Sequence, residues 1–425
     1  MVTFAIDDPC PRLRPVEAFP ATVENRKVIC LRDQEGLATG VVTLPPAAFF
    51  IAGHLDGRNT FRDIQAAYFR EFGQILYRET VMELLESLDR NYFLESDYFA
   101  AYRRRQEEEF QVAAVRRAAH AGTAYESDPE RLRRQIDGFF SDPEGIGEIH
   151  LLPEIEDLAG LVAPHIDFQR GGPVYSWAYG ALRSARHFDL FVVLGTSHVP
   201  LPYPFCVCLK DFETPLGVAP VDRSFGERLL KDLPLNYQKG VWAHRQEHSI
   251  EFQAVFLKYL FPHPDAFRIL PVLCGPVPAE GNTIEEKHQR LYLDEFLDRL
   301  LELTRQSQRR VCFIAGADLA HMGPRFGDRL PVDDALLGEL RAADRSLLQQ
   351  AEEIDAEGFS GRIAGCGDPY RICGHSPIYA LLRVCGARQG KLLRYGQAVA
   401  PDRSQVVTYA SMAFYGTKEP IDEPL

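Results

Sequence analysis

The stretch that decides the fold is FDLFVVLGTSH, Phe188–His198, in which an apolar run ends at a glycine and polar residues follow. Three other stretches repeat this pattern: LAGLVAPH (158–165), FRILPVLCG (267–275) and RVCFIAGADLAH (310–321). Helical stretches such as residues 286–306 separate them. Apolar strands that alternate with helices are typical of a mostly parallel sheet with helices on both faces. We therefore predict a three-layer α/β/α domain.

The N-terminal part has a different pattern. LDGRNTFRDIQAAYFREFG (55–73) predicts a helix that Thr60 caps together with Asp63 and that ends at Gly73. A second amphipathic helix follows in ETVMELLESLDRNYF (79–93). We predict three parts: a small winged-helix-like α+β domain at 1–95, a solvated linker helix at 96–116 and the α/β/α domain at 117–425.

Composition excludes several classes of protein. The chain has 425 residues and a net charge of −13, which disfavours nucleic acid or an anionic membrane as its main partner. It has no apolar run long enough to span a bilayer, and its N-terminus does not resemble a secretory signal. The nine cysteines include no CxxC pair, which is typical of a reduced protein. We expect a cytoplasmic protein.

Polar residues follow the predicted strands. His165 and Asp167 come after the first strand and His198 after the second, while Asp318 and His321 close the last stretch. Glu247, His248 and Glu251 lie in EHSIEFQ at the start of a predicted helix, and Cys373 lies in RICGHSPI (371–378). Because the carboxyl ends of parallel strands meet at one edge of a sheet, we expect these side chains to converge there.

Imidazole and thiolate together are ligands for zinc, iron or copper. The carboxylates Glu247, Glu251, Asp167 and Asp318 could orient such ligands through hydrogen bonds. A metal-free alternative is a Cys373 nucleophile with a histidine base. The sequence contains no phosphate-binding GxxxxGK[ST] loop, no GxGxxG after a strand and no GxSxG elbow, which disfavours a nucleotide site and a serine hydrolase.

The ordered motifs resemble those of the Memo family, which includes protein B of the AmmeMemoRadiSam systems. The resemblance covers about residues 117–416 and includes AHAGTAYESDPERLRRQIDGFF (119–140) as the opening segment. The other motifs, in order, are LVAPHID with GG, VVLGTSHVP, ETPLGVAPVD, EHSIEFQ, ILPVLCG, GADLAHMG, CGHSPI and VVTYASMAFYG.

The resemblance implies a fold similar to class III extradiol dioxygenases, which use non-heme iron. It implies His165, His198 and Cys373 as ligands of iron(II) or copper, with zinc as a further candidate. His248, Asp318 and His321 match residues that line the same cleft, where we expect catalytic roles. The dioxygenases have a carboxylate where Memo proteins offer the thiol, so ring cleavage is not implied. The implied partners are a radical SAM protein and an AMMECR1-like protein.

The chain departs from the family pattern near two of these ligands. The family usually has His-Ala-Gly-Tyr where this chain has His165-Ile166-Asp167-Phe168, and we expect Asp167 and Arg170 to add charge at the mouth of the cleft. The family often has Cys-Gly-Arg-His-Pro, whereas here His375 follows Cys373 and Gly374, which places a different polar group beside the thiol.

The N-terminal stretch HLDGRNTFRDIQAAYFREFG (54–73) resembles the PqqD-like peptide-recognition fold, which implies a peptide partner. The first functional hypothesis is a metal-dependent oxidoreductase. The alternatives are a non-catalytic metal- or peptide-binding protein and a metal-free cysteine-dependent enzyme.

Overall fold

A computed structural model of the chain describes residues 7–33, 35–38, 40–147, 157–278 and 283–416. They divide into two units, Met1–Val112 and Ala113–Leu425. No helix among the described residues is both long and apolar enough to cross a membrane.

The N-terminal unit combines a three-stranded antiparallel sheet with helices. The sheet has the order β2-β3-β4, and β1 pairs with β5. Its strands are β1 (Arg12–Leu13), β2 (Glu17–Val23), β3 (Arg26–Arg32), β4 (Val41–Leu44) and β5 (Leu94–Glu95). Its helices are α1 (Pro46–Gly53), α2 (Phe61–Phe72), α3 (Arg78–Arg90) and α4 (Asp97–Val112).

Local signals set the ends of α2 as predicted. The Thr60 side chain accepts a hydrogen bond from the Asp63 backbone N–H, and the Asp63 side chain accepts one from the Thr60 N–H. Gly73 follows the helix with φ 65°, a left-handed conformation that glycine adopts without strain. On α4, Arg103 Nε donates to Glu107 Oε1 at 2.9 Å, one helical turn further along.

The C-terminal unit is an α/β structure, as predicted. Its strands are β6 (Val115–Arg116), β7 (Leu158–Ala163), β8 (Leu190–Thr196), β9 (Phe205–Val207), β10 (Asp211–Thr214), β11 (Gly217–Ala219), β12 (Arg268–Cys274), β13 (Val311–Gly316), β14 (Asp318–Met322), β15 (Gln389–Val399) and β16 (Val406–Tyr415). Its helices are α5 (Pro129–Ser141), α6 (Phe168–Arg183), α7 (Arg223–Lys231), α8 (His248–Leu260), α9 (Ile284–Gln306), α10 (Asp334–Glu352), α11 (Ala356–Gly365) and α12 (His375–Val384).

The main sheet is more mixed than the sequence predicts. Its order is β14-β16-β7-β13-β8-β12-β9, and β15 pairs with β16. The four central strands are parallel, whereas the pairings of β14, β15, β16 and β9 are antiparallel. An apolar run indicates that a strand is buried but not its direction, so the antiparallel hairpin at the C-terminus had no signal of its own.

Helices cover both faces of this sheet. Leu190, Val192 and Leu194 of β8 belong to one core cluster with residues of α9 and α12. The alternate residue Phe191 instead packs against Phe261, the C-cap residue of α8, and against Phe267, at ring-centroid distances of 5.9 and 5.5 Å. Because successive side chains of a strand point to opposite faces, the two sets of contacts give three layers.

The register of the parallel strands brings their carboxyl ends level. Gly316 at the end of β13 pairs with Ala163 of β7 and with Gly195 of β8. His165 follows Ala163 by two residues, and His198 follows Gly195 by three. The strand pairing alone therefore carries both imidazole-bearing segments to one edge of the sheet.

Candidate metal centre

Three imidazoles meet at this edge. His165 follows β7, His198 follows β8, and His248 is the first residue of α8. Their ring centroids are 5.1 Å apart for His165 and His198, 5.2 Å for His165 and His248, and 4.7 Å for His198 and His248. One nitrogen of each ring lies within 4.8 Å of the other two, so the three nitrogens could hold one metal ion.

The outer nitrogens of two of these rings are fixed by oxygen acceptors. Nδ1 of His165 lies 2.9 Å from the carbonyl oxygen of Gly316, and Nδ1 of His198 lies 3.0 Å from Glu247 Oε1. A carbonyl or carboxylate oxygen only accepts, so Nδ1 carries the proton in both rings. Nε2 is therefore the nitrogen with a lone pair, as a metal ligand requires.

Glu247 is the centre of this arrangement. It caps α8, and its buried carboxylate accepts hydrogen bonds from the backbone N–H groups of His198 and Ser249, both at 3.0 Å. Nδ1 of His248 lies 3.3 Å away. Burial alone would raise the pKa of Glu247, but the His198 imidazole and these hydrogen bonds hold it well below its usual value. The carboxylate therefore orients the His198 imidazole through a hydrogen bond and also lies beside the His248 imidazole.

The imidazoles differ in the protonation that their surroundings favour. Burial lowers the pKa of His165 to about 3, and His198 adds to the effect. Burial also lowers the pKa of His248 well below its usual value, although Glu247 opposes it. For His198 the desolvation is outweighed by Glu247, which raises its pKa. Two of the rings are thus neutral at physiological pH, the form that binds metals.

The thiol of Cys373 lies against one member of this cluster, His165. Its Sγ lies 3.3 Å from Nε2 of His165, and its carbonyl oxygen accepts a hydrogen bond from Thr196 Oγ1 at 3.1 Å. Burial raises the pKa of the Cys373 thiol well above its usual value, and the charge of Asp318 adds to this. A Cβ on Gly374 would lie 2.3 Å from the Asp318 carbonyl oxygen, so only glycine allows this close approach.

Asp318 supports the same corner from β14. Its Oδ1 accepts a hydrogen bond from the His165 backbone N–H at 2.9 Å, and its Oδ2 lies 3.7 Å from His165 Nε2. Burial raises its pKa to about 6.

The other predicted site residues make their hydrogen bonds outside the cluster, although His321 lies close enough to His165, His198 and Asp318 to interact with them electrostatically. Nδ1 of His321 lies 3.0 Å from the Leu319 carbonyl oxygen. Asp167 caps α6 and accepts a hydrogen bond from Arg170 Nε at 2.6 Å. His375 was expected beside Cys373, but its Nε2 lies 2.8 Å from Ser360 Oγ on α11. Among the described residues, no hydrogen bond or ring contact joins these three side chains to the three imidazoles.

Glu251 lies one helical turn after Glu247, and it contacts residues that the sequence did not predict to lie near the site. Its carboxylate is paired with Arg116, accepts a hydrogen bond from Tyr125 Oη and accepts another from the His120 backbone N–H at 2.9 Å. The His120 ring lies 5.6 Å from that of His248. His120 belongs to the HAGTAY motif, but nothing in the spacing of that motif indicates a contact with α8.

Comparison with known proteins identifies a family to which this sequence is similar. Residues 116–413 match the family described as Memo-like protein. A MEMO1 family protein of Aquifex aeolicus is 28% identical over 388 residues, which cover 91% of this chain and 95% of the relative. A MEMO1 family protein of Methanosarcina barkeri is 30% identical over 307 residues, which cover 70% of this chain and 99% of the relative. Another MEMO1 family protein, of Methanopyrus kandleri, is 29% identical over 311 residues, which cover 70% of this chain and 98% of the relative. The chain belongs to the Memo-like protein family.

Proposed function

We propose that the chain is a metal-binding redox protein whose ion, iron(II) or copper, is held by His165, His198 and Cys373. The observation that carries the proposal is the meeting of three imidazole nitrogens within 4.8 Å, beside a sulfur 3.3 Å from one of them. Nitrogen and sulfur ligands at about 2.0 and 2.3 Å from one ion lie roughly 3.5 Å apart in tetrahedral geometry. The 3.3 Å between Cys373 and His165 fits two ligands of one ion, and imidazole together with thiolate suits a soft or borderline metal, with zinc as a further candidate.

A bound iron(II) or copper ion would supply redox and Lewis-acid chemistry at this edge of the sheet. The residues around it have separable tasks. Glu247 fixes the orientation of His198 and lies beside Nδ1 of His248. The neutral His248 offers a nitrogen that can accept a proton from a substrate, and Asp318, with its pKa raised to about 6, can exchange one near neutral pH.

The same site also supports a second function. If His248 binds the ion together with His165, His198 and Cys373, four ligands complete a tetrahedron, as structural and storage sites do. Three ligands leave a position open for a substrate. Cobalt(II) substitution separates the two cases, because the visible absorption of cobalt reports its coordination number. A His248→Ala variant that leaves the cobalt spectrum unchanged favours the open, catalytic site.

The primary test is metal content. The protein is purified anaerobically beside His165→Ala, His198→Ala and Cys373→Ala, and the metal is measured by mass spectrometry. We expect near-stoichiometric metal in the wild type and its loss in each variant. His187→Ala and Cys366→Ala are matched controls, because both side chains are exposed and lie outside the cluster. A wild-type protein that takes up neither iron, copper nor zinc overturns the proposal.

The family resemblance further leads us to propose a radical SAM protein and an AMMECR1-like protein as cytoplasmic partners, and a peptide at the N-terminal unit. An exposed apolar patch on that unit supports the last point: Phe69, Phe72, Ile75 and Tyr77 are 56%, 37%, 63% and 66% exposed. Binding of the two purified partner proteins to the full chain tests the first point. Binding of peptides derived from these partners to the full chain tests the second. Phe69→Ser and Tyr77→Ser should weaken peptide binding, and equal affinities for variants and wild type would exclude the patch.

A further inference from the structure

Arg116 is a fully buried cation whose guanidinium donates two hydrogen bonds to the backbone turn that precedes α8. Its Nε donates to the His244 carbonyl oxygen at 2.9 Å, and one terminal nitrogen donates to the Glu247 carbonyl oxygen at 2.8 Å. The other terminal nitrogen donates to the Arg117 carbonyl oxygen at 2.9 Å and to the Glu251 carboxylate. The planar guanidinium thus binds both ends of the turn that precedes α8, at His244 and at Glu247.

Glu251 connects this arrangement to a second segment, residues 119–125. Its two oxygens accept hydrogen bonds from the backbone N–H groups of Ala119 at 3.0 Å and His120 at 2.9 Å, and from Tyr125 Oη. Both charged side chains have no exposed surface. The pair therefore ties the segment before α5 to the first turn of α8, although 135 positions separate Arg116 from Glu251 in the sequence.

These two segments carry His248 itself and two of the groups beside it, Glu247 and His120. The His248 ring stacks on His198 at 4.7 Å with an interplanar angle of 21°, and it meets His120 edge-on at 5.6 Å and 71°. Nε2 of His120 lies 2.8 Å from the Gln246 carbonyl oxygen, inside the turn that Arg116 holds. A shift of either segment would therefore move Glu247, His248 and His120 together.

We infer that the buried Arg116–Glu251 pair is a positioning element that holds Glu247, His248 and His120 in register for the three-imidazole site. This inference rests on the proposed function only for its metal readout, because the positioning itself exists without a metal. A buried ion pair is costly to desolvate, and apolar residues often replace one without loss of stability. The Arg116–Glu251 pair beside the imidazoles is therefore better explained by its effect on the position of the backbone than by a gain in stability.

The test uses the full chain with Arg116→Lys and Glu251→Gln. Lysine keeps the charge but cannot reach three carbonyl groups at once, and glutamine keeps an acceptor without the charge. In metal-free protein, we expect amide hydrogen exchange in 119–125 and 247–251 to accelerate at least tenfold in both variants, while β13 stays protected. We also expect the affinity for cobalt(II) to fall by about 10- to 100-fold, the range typical for the loss of groups that orient ligands.

A matched control separates positioning from general stability. Arg14 and Asp33 form another buried pair, at 3.1 Å in the N-terminal unit, so Arg14→Lys should lower the melting temperature without changing cobalt affinity. Should Arg116→Lys fail to fold, the milder Glu251→Gln decides. Wild-type exchange rates in the two segments would overturn the inference. Failure of the wild type to bind cobalt would instead count against the proposed function, and hydrogen exchange would still decide the inference.

Discussion

The sulfur of Cys373 lies 3.3 Å from Nε2 of His165, although 208 positions separate the two residues in the chain. Proximity of a thiol to an imidazole can mean an activated nucleophile or two ligands of one ion. The surroundings favour ligands, because burial and Asp318 raise the pKa of the Cys373 thiol and burial lowers the pKa of His165 to about 3. Both groups are therefore neutral without a metal, whereas an activated pair would be thiolate and imidazolium.

The first prediction is that Cys373 of metal-free protein reacts slowly with iodoacetamide at pH 7.5. The thiolate is the nucleophile, and a raised pKa leaves little of it. Cys366 is an internal control, because it is exposed and lies outside the cluster. Peptide mapping by mass spectrometry should find Cys366 modified well before Cys373. Faster modification of Cys373 than of Cys366 would contradict this prediction and favour the hypothesis of a metal-free cysteine-dependent enzyme.

A second prediction concerns Glu247→Gln. The amide keeps the shape of the side chain but removes the charge that faces His198 and His248. We expect metal affinity to fall by about 10- to 100-fold, because the rings lose basicity and a fixed orientation. A competition titration with a chromophoric chelator measures this change.

Glu302→Gln is the control for this variant, because Glu302 is an exposed residue of α9. It should bind metal like the wild type. Equal affinities for Glu247→Gln and Glu302→Gln would mean that the carboxylate does not act on the ligands.

The sequence predicted most reliably what depends on neighbouring residues. The caps of α2 at Thr60 and Gly73 are local, and the structure has both. The placement of His165, His198 and Asp318 followed from strand ends, because parallel pairing brings such ends to one edge. Arg116 and His120 had no comparable signal, since their contacts with Glu251 join segments more than 130 positions apart.

His375 illustrates a different limit of the sequence. It lies two residues from Cys373, which favoured a shared environment. However, α12 begins at His375, and the chain turns there so that the ring reaches Ser360 on α11. Adjacency in sequence therefore did not translate into adjacency of side chains.

A third prediction tests the close packing that supports the site. A Cβ at Gly316 would lie 2.3 Å from the Ser249 carbonyl oxygen and 2.9 Å from Gln253 Nε2. We expect Gly316→Ala to cost about 2–3 kcal/mol of unfolding free energy, as overpacking does, and to weaken metal uptake, because the Gly316 carbonyl holds His165. Urea unfolding followed by tryptophan fluorescence measures the cost, since both tryptophans, Trp177 and Trp242, lie in the C-terminal unit.

Gly138→Ala is the matched control for this substitution. Gly138 lies within α5, and no heavy atom lies within 4 Å of the position of its added Cβ. Alanine there should be neutral or stabilising by about 0.5–1 kcal/mol, because it has the higher helix propensity. If both alanines have the same effect, the contact at Gly316 is not tight.

The last prediction concerns stability against pH and a carboxyl group away from the site. Asp344 of α10 is 1% exposed, and burial raises its pKa to about 6, although Thr408 and Tyr395 oppose the shift. In the unfolded chain an aspartate titrates near 3.9. Between these two values the folded state binds more protons at Asp344, so the contribution of this group to stability is greatest below pH 4 and falls as the pH rises to about 6.

The size of the loss is about 2–3 kcal/mol, since each pKa unit corresponds to about 1.4 kcal/mol. Asp344→Asn removes the titration and keeps an acceptor for Tyr395 Oη, which lies 2.7 Å from Asp344 Oδ2. Relative to the wild type, this variant should therefore gain about that amount between pH 4.5 and 7.5 in urea unfolding monitored by tryptophan fluorescence. Tyr395→Phe should act in the opposite direction, because the hydrogen bond it removes favours the ionised carboxylate. A stability difference between Asp344→Asn and wild type that does not change with pH would show that Asp344 keeps its charge at little cost.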